Sequence, residues 1–265
     1  MKTTVTDVCL AMNDIAPVKW AEEWDNPGLL VGDTDAPVKK IMLALDLTPE
    51  VAAAAIEGKV DIIITHHPLY FALPKTLAIT DVKMEFVYEL IKHNIAVYAA
   101  HTNLDAAPGG VNDVLAEAIG LTGVATLSNA NPEKEQGIVR VGMLSEPLTI
   151  EAFAQKVKSA LGADGVTYVD AGKPVYKVAL VGGSGSDYIG DAMEAGADTF
   201  VTGDVKYHVA QKALTQGINI IDAGHQFTEM PILDKLEQVL KAWAEDSKRT
   251  MEIVRAEEEQ VMRHV

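Results

Sequence analysis

The sequence predicts an α/β protein with mostly parallel or mixed sheets flanked by helices, arranged as two α/β lobes of similar size. Short apolar runs alternate with amphipathic stretches, the pattern that strand–helix repeats produce. Three strand–helix units follow one another between residues 40 and 119, which favours a parallel sheet. A polar stretch at 121–137 then breaks the rhythm and indicates a linker or domain boundary.

Periodicity places the elements. Val5, Val8 and Met12 recur at the spacing of one helical face, whereas continuous apolar runs such as 60–65 are typical of buried strands. The predicted helices are 5–16, 49–58, 81–93, 110–119, 149–161, 187–195, 205–216 and about 229–246. The predicted strands are 40–46, 60–65, 95–100, 138–144, 166–170, 175–181, 198–202 and 218–222, with 251–256 as an edge strand. Beyond it, Glu257–Glu259 is expected to be a solvated tail.

Composition narrows the class of protein. The 265 residues are 48% hydrophobic and 23% charged, which is ordinary for a folded domain with a core. A formal charge of −16 favours solubility and disfavours nucleic acid as a partner, which also argues against a DNA-linked factor. Cys9 stands alone and can form no intramolecular disulfide. Met1–Leu10 lacks the features of a signal peptide and no run approaches ~20 apolar residues, so we expect a cytoplasmic protein without a membrane partner.

Two adjacent histidines follow the second predicted strand. His66 and His67 come directly after the buried run 61–64, and Pro68 stiffens the exit. In parallel sheets, ligand groups gather at the carboxyl ends of strands. The pair is therefore a candidate for binding two metal ions, although capping or core histidines are the alternative.

The next strand ends in a similar way. His101 and Asp105 follow the run 95–100, so two consecutive strands would bring both polar clusters to the same sheet edge. Asp105 offers a hard anionic oxygen suited to a divalent ion. His101 could be a ligand, an acid/base group or a residue that orients a ligand.

A third cluster follows the strand 218–222. His225 and Glu229 have the four-residue spacing of one helical face. Pro231, however, indicates that the helix starts near Thr228, which would put His225 in the approach loop and Glu229 in the first turn. A glutamate in that position could bridge two ions.

Two further strand ends have a simpler interpretation. Gly182–Ser186 lies between a strand and a helix, as a phosphate-binding loop does, but lacks the P-loop lysine and the dinucleotide spacing, which favours a tight turn lining a cleft. Asp204, after the strand 198–202, is expected to be a helix N-cap.

Several motifs together resemble a known family over essentially the whole chain: the dinuclear metal-centre proteins of the YbgI type, also known as type-two GTP cyclohydrolase I homologues. The motifs that carry the resemblance are Trp24–Gly32 (WDNPGLLVG), Ile64–Pro68 (ITHHP), His101–Asp105 (HTNLD) and Gly224-His225 with Glu229. The family often has valine where Pro27 stands here.

The resemblance implies two divalent transition-metal ions per chain, with zinc, iron and manganese all compatible with the ligand types. His66 and Asp105 would bind one ion, His67 and His225 the other, and Glu229 would bridge, with His101 as the candidate catalytic acid/base. The resemblance further implies a homohexameric ring. We expect residues 1–127 with 219–265 to form the metal-site domain and 128–218 a second α/β domain.

This set of ligands supports two functional hypotheses. The first is a dinuclear metal-dependent hydrolase acting on a small molecule, with a nucleotide as one candidate and GTP cyclohydrolase as the activity that the resemblance suggests. The second is a metal-binding hexameric assembly or chaperone-like protein without catalysis. Vacant coordination positions, left when five or six protein ligands are shared by two ions, favour the first.

Overall fold

The computed structural model describes residues 2–72, 74–76, 78–79, 82–127 and 136–264. In chain order the helices are α1 (Val5–Ile15), α2 (Pro49–Glu57), α3 (Val82–Lys92), α4 (Thr102–Ala106), α5 (Val111–Ala118), α6 (Ile150–Leu161), α7 (Ile189–Glu194), α8 (Tyr207–Gln216), α9 (His225–Glu229) and α10 (Pro231–Asp246). The strands are β1 (Gly28–Val31), β2 (Lys40–Ala44), β3 (Ile62–Thr65), β4 (Ala96–Ala99), β5 (Thr122–Thr126), β6 (Arg140–Leu148), β7 (Thr167–Val169), β8 (Val175–Leu180), β9 (Thr199–Thr202), β10 (Asn219–Asp222) and β11 (Glu252–Arg255).

The chain forms two compact units, each built on one sheet. The first unit is Met1–Leu104 with Leu233–Glu259, and the second is Asp105–Ile232 with Gln260–Val265. The predicted α/β class with mostly parallel or mixed sheets is confirmed. Along the chain, the three passages between units fall within α4, near the start of α10 and after Glu259.

The sheet of the first unit has the order β1-β4-β3-β2-β11. Strands β11, β2, β3 and β4 are parallel, and their register pairs Ala44 with Thr65 and Thr65 with Ala99. The strand ends are therefore level, so the residues that follow them gather at one edge. Strand β1, which periodicity did not predict, pairs antiparallel with β4, and β11 is the edge strand predicted near 251–256.

The sheet of the second unit is mixed, with the order β5-β6-β8-β9-β10-β7. Its three central strands, β8, β9 and β10, are parallel, and the others pair antiparallel. Register pairs Leu180 with Val201 and Thr202 with Asp222, so these ends are level too.

Apolar faces of the helices cover each sheet. In the first unit, Val51 and Ala55 of α2 and Leu90 of α3 pack on the β3 and β4 residues Ile63 and Val97. In the second unit, the buried side chains of α5 and α6 pack on β8 and β10. Burial of this kind is the main favourable term in folding. Among the described residues, none of the helices combines the length and apolar character needed to cross a membrane.

Three threonines mark helix starts. Thr4, Thr48 and Thr149 are N-caps whose hydroxyl oxygens accept hydrogen bonds from backbone N–H groups three residues ahead. Asp7 completes a capping box with Thr4 and also pairs with Arg249 at 2.9 Å. Such caps satisfy N–H groups that the helix itself leaves without partners.

The structure differs from the predicted linker at 121–137. Residues 122–126 form β5, a strand of the second sheet, while 128–135 lie outside the described residues. The predicted division after residue 127 and before 219 also differs from the compact units. Strands β5 and β10 pair with β6 and β9, which keeps both in the second unit.

The prediction of a solvated tail at Glu257–Glu259 is wrong for Glu258. Its carboxylate accepts hydrogen bonds from the backbone N–H groups of Leu45 and Asp46, both at 2.8 Å. Burial raises the pKa of Glu258, although these two hydrogen bonds oppose the rise. The tail is thus attached at the carboxyl end of β2.

Arg140 holds the start of the second unit together. Its guanidinium, 1% exposed, pairs with Asp113 at 2.5 Å and donates to the carbonyl oxygens of Ala106, Ala107 and Gly137 at 2.6–3.1 Å. Because Ala106 and Ala107 directly follow Asp105 in the chain, the arginine fixes the segment after that candidate ligand.

We therefore expect Arg140→Met to lower the free energy of unfolding by about 3 kcal/mol, since the partly buried Asp113 carboxylate and three carbonyl oxygens lose a buried donor. The exposed Arg263 supplies a control, and Arg263→Met should change stability by less than about 0.5 kcal/mol. Urea unfolding followed by circular dichroism measures both. Equal stability of the two variants would contradict a structural role for Arg140.

Candidate functional site

His66 and His67 extend from the end of β3 under tight backbone control. The backbone N–H of His66 donates to Ala44 O at 3.1 Å, and that of His67 donates to Leu45 O at 2.9 Å. The side chain of His66 is buried, and its Nδ1 lies 2.8 Å from Ala100 O. A carbonyl oxygen can only accept, so Nδ1 carries the hydrogen and Nε2 holds the lone pair of the neutral ring.

His67 and His101 repeat this arrangement with carboxylates. Nδ1 of His67 lies 3.0 Å from Asp46 Oδ1, and Nδ1 of His101 lies 2.8 Å from Asp25 Oδ1. An ionised carboxylate also only accepts, so both rings have the same assigned tautomer, with Nε2 as the metal-binding or proton-accepting nitrogen.

The Asp25 carboxylate accepts several hydrogen bonds in the first unit's site. Its side chain is fully covered, and besides His101 it receives the backbone N–H of Thr102 at 3.0 Å and the Thr102 hydroxyl at 2.5 Å. Burial on its own would raise the pKa of Asp25, but the hydrogen bond and charge of His101 and the bond from Thr102 outweigh it and bring the pKa to about 2.

The three imidazoles of the first unit form one cluster. Their ring centroids are 5.0 Å (His66–His67), 5.2 Å (His66–His101) and 5.6 Å (His67–His101) apart. One ring nitrogen from each lies within 4.8 Å of the others, close enough to hold a metal ion. The predicted convergence of His66 and His67 with His101 is therefore observed.

The second unit brings His225 and Glu229 together on α9. His225 is the first residue of this short helix, so the prediction that it lies in the approach loop is wrong; Pro231 instead begins the separate helix α10. Nε2 of His225 lies 3.3 Å from Oε1 of the buried Glu229. Nδ1 of His225 lies 2.7 Å from Asp204 Oδ2.

The geometry at Asp204 also corrects a prediction. The N-cap of α8 is Lys206 rather than Asp204, whose φ of 56° is in the left-handed region. Because Asp204 takes the hydrogen of His225 Nδ1, a neutral ring would turn the lone pair of Nε2 towards the Glu229 carboxylate. Two acceptors that close repel each other unless a proton or a cation lies between them.

Glycines allow this close approach. A Cβ on Gly183 would lie 2.1 Å from Glu229 Oε1 and 3.1 Å from His225 Nε2. A Cβ on Gly203 would lie 2.6 Å from the backbone nitrogen of His225. The N–H groups of Gly182, Gly183 and Gly185 donate to Asn112, Thr228 and Thr202 at 2.7–2.9 Å. Since these donors are already used within the protein, Gly182–Ser186 acts as a tight turn against the site rather than as a phosphate cradle.

Asp105 lies in α4, at the start of the second unit, with its side chain buried. Its carbonyl oxygen accepts from Asn112 Nδ2 at 3.1 Å, and Asn112 Oδ1 in turn accepts from Gly182 N. One buried asparagine thus ties the Asp105 segment to the glycine loop.

Our sequence reasoning missed or misread three residues of the candidate site, Asp25, Asp46 and Asp204. Each orients a candidate histidine through Nδ1. A usable signal exists for two of them, because Asp46 and Asp204 lie two residues beyond the ends of parallel strands, close to where the histidines lie on theirs. Asp25 is 76 residues from His101, and nothing in the local sequence links the two.

The fold and the site define an α/β protein with a cluster of three imidazoles that could hold a metal ion. The chain belongs to the Duf34/NIF3 (NGG1p interacting factor 3) family, whose profile matches residues 3–260.

Individual relatives and solved structures are similar to this chain over most or all of its length. A Clostridium perfringens protein named GTP cyclohydrolase 1 type 2 homolog is 39% identical over 238 residues, which cover 89% of this chain and 91% of the relative. A crystal structure of Staphylococcus aureus hypothetical protein SA1388 covers all of both chains with a TM-score of 0.92 at 30% identity. A Bacillus cereus protein related to NIF3 also covers both chains fully, with a TM-score of 0.92 at 27% identity.

The Asp25 carboxylate gives a pH prediction. Its folded pKa of about 2 lies below the ordinary value of about 3.9, so its contribution to stability is present above about pH 4 and is lost as the pH falls towards 2. We expect Asp25→Asn to be less stable than the wild type by about 1–3 kcal/mol at pH 7, with the difference shrinking at pH 3.

Urea unfolding at pH 7, 4 and 3 measures this difference, and the exposed Asp14 provides the matched control. Asp14→Asn should differ little from the wild type at every pH. A stability loss in Asp25→Asn that is the same at pH 3 as at pH 7 would show that the carboxylate charge is not what holds the segment.

Proposed function

We propose that this protein is a dinuclear metal-dependent hydrolase. The observation that carries the proposal is shared by four histidines: each of His66, His67, His101 and His225 has Nδ1 within 3.0 Å of an oxygen that can only accept. Metal-binding histidines typically use one nitrogen in this way, which fixes the tautomer and raises the basicity of the other.

The donor set fits two divalent transition-metal ions, and zinc, iron and manganese remain the candidates. Following the family resemblance, we propose that His66 and Asp105 hold one ion, that His67 and His225 hold the other, and that Glu229 bridges. Bound ions of this kind supply Lewis acidity and lower the pKa of water. The His225–Glu229 approach at 3.3 Å is compatible with a cation there, because a neutral ring would set a lone pair against a carboxylate.

His101 is proposed as the catalytic acid/base. Asp25 holds its Nδ1 hydrogen, so Nε2 can accept a proton while the carboxylate stabilises the imidazolium that results. Thr102 fixes the carboxylate in turn, so the ring cannot change tautomer without breaking a buried network. This proton route is a property of the chain's own residues.

The substrate class we propose is a purine nucleotide, with GTP as the first to test. The support is the name GTP cyclohydrolase 1 type 2 homolog, which the bacterial relatives carry. The reaction would add water at the carbon between the two nitrogens of the five-membered ring and open it to a formamide. We further propose a homohexamer, as the resemblance implies.

Metal content tests the centre. Freshly purified protein should carry close to two transition-metal equivalents per chain by plasma mass spectrometry. Glu229→Ala should lose both, since one carboxylate serves each ion, whereas Glu245→Ala, at an exposed position of α10, should keep both. Near-zero metal in the wild type, even after supplementation, would contradict the proposal.

A glycine pair tests the same centre without removing a ligand. In Gly183→Ala the new Cβ would displace the Glu229 carboxylate, so metal content should fall. Gly190→Ala is the matched control, because a Cβ there meets nothing within 4 Å, and it should bind metal like the wild type. Full metal content in Gly183→Ala would argue against Glu229 as a ligand.

His101→Ala separates catalysis from metal binding. We expect it to keep its metal but lose about 10²–10⁴-fold in turnover of GTP, followed by chromatography and mass spectrometry, because the acid/base group is gone. His93→Ala, at an exposed position directly after α3, should leave turnover unchanged. Loss of metal from His101→Ala would make His101 a ligand instead. Metal without turnover in the wild type would favour a non-catalytic assembly.

A further inference from the structure

Two large aromatic side chains lie on the surface beside His101. Trp24 is 60% exposed and Phe71 is 55% exposed, although both are bulky and apolar. Their ring centroids are 5.8 and 5.7 Å from that of His101, with interplanar angles of 73° and 62°, and 6.0 Å from each other. We call Trp24 and Phe71 the aromatic pair.

The backbone beneath the aromatic pair is fixed. Asp25, next to Trp24, is held by His101 and Thr102 through a covered carboxylate. Asn26 donates from Nδ2 to the carbonyl oxygen of Tyr70 at 2.8 Å, and Tyr70 directly precedes Phe71. The two exposed rings therefore belong to segments tied to each other and to His101, so a ligand would meet a preorganised surface at low entropic cost.

Exposed aromatic rings on a fixed frame are suited to planar ligands. A π-face stacks on any flat heteroaromatic ring, and this interaction tolerates variation in the ring's substituents. His101 adds a polar partner at the edge, since its Nδ1 is engaged by Asp25 and its Nε2 can exchange a hydrogen bond or proton with a ligand. Aromatic faces and one imidazole edge match a fused heteroaromatic ring better than an aliphatic group.

We propose that the aromatic pair binds the fused heteroaromatic ring of a purine-class substrate and presents that ring to His101. This inference deepens the proposed function and rests on it for the link to catalysis, but it assigns binding to residues that are neither metal ligands nor acid/base groups. It predicts that the base is recognised separately from the phosphates.

Guanosine is the direct probe, because it carries the base without phosphates that could bind a metal ion. Isothermal titration calorimetry on the full-length protein as purified should detect guanosine binding in the wild type. Trp24→Leu and Phe71→Leu should each weaken it at least tenfold, while Tyr176→Leu, an exposed aromatic position on β8, should not change it. Trp24→Phe and Phe71→Tyr keep a π-face and should retain binding, which controls for misfolding.

Three outcomes overturn the proposal. The first is no guanosine binding by the wild type, and the second is unchanged binding in both leucine variants. The third is a leucine variant that alters the sedimentation coefficient with no effect on guanosine, which would make the aromatic pair a contact between copies of the chain.

Metal content and GTP turnover of the same preparations distinguish this proposal from the proposed function. If the protein holds metal and hydrolyses GTP but does not bind guanosine, only the proposal for the aromatic pair is contradicted. If guanosine binding depends on the aromatic pair but the protein has neither metal nor hydrolysis, the proposed hydrolase function is contradicted. The aromatic pair would then be a purine-binding surface.

Discussion

The site depends on how each histidine uses its two ring nitrogens. In His66, His67, His101 and His225 the Nδ1 hydrogen is given to a carbonyl or carboxylate oxygen at 2.7–3.0 Å. An imidazole held in this way cannot rotate or change tautomer without leaving a polar group unsatisfied, which costs about 1–3 kcal/mol when the group is buried. The oxygens thus act as part of the site, although none of them needs to touch a ligand.

Both sheets present their histidines by the same means. In each unit three adjacent parallel strands end level. The loops that follow them are therefore brought together by strand register alone. The difference lies in packing. The first unit relies on the backbone bonds of His66 and His67 to neighbouring strand ends, whereas the second relies on missing side chains at Gly183 and Gly203, where a Cβ would enter the space of Glu229 or His225.

Local patterns were sufficient for most elements and for the candidate ligands. His66, His67 and His101 were predicted because they follow apolar runs that the sequence identifies as buried strands. The contacts that cross long stretches of sequence were not predictable: Asp25 reaches His101 across 76 residues, and Arg140 reaches Ala106 across 34.

Strand β1 was missed because its four residues are only partly buried and follow no alternating pattern. Polar composition at 121–126 suggested a linker because β5 is a largely exposed edge strand, which needs no apolar run.

The segment Trp24–Asn26 shows how three consecutive residues can serve three purposes. Asp25 has a covered side chain that holds His101, Asn26 donates a hydrogen bond to the carbonyl oxygen of Tyr70, and Trp24 lies on the surface. Trp24 lies beside the exposed Phe71 and His101, and a planar ligand stacked there would cover this apolar surface. The same carboxylate that sets the tautomer of His101 therefore also fixes the backbone next to that ring, so acid/base chemistry and recognition of a planar ligand would share one buried anchor.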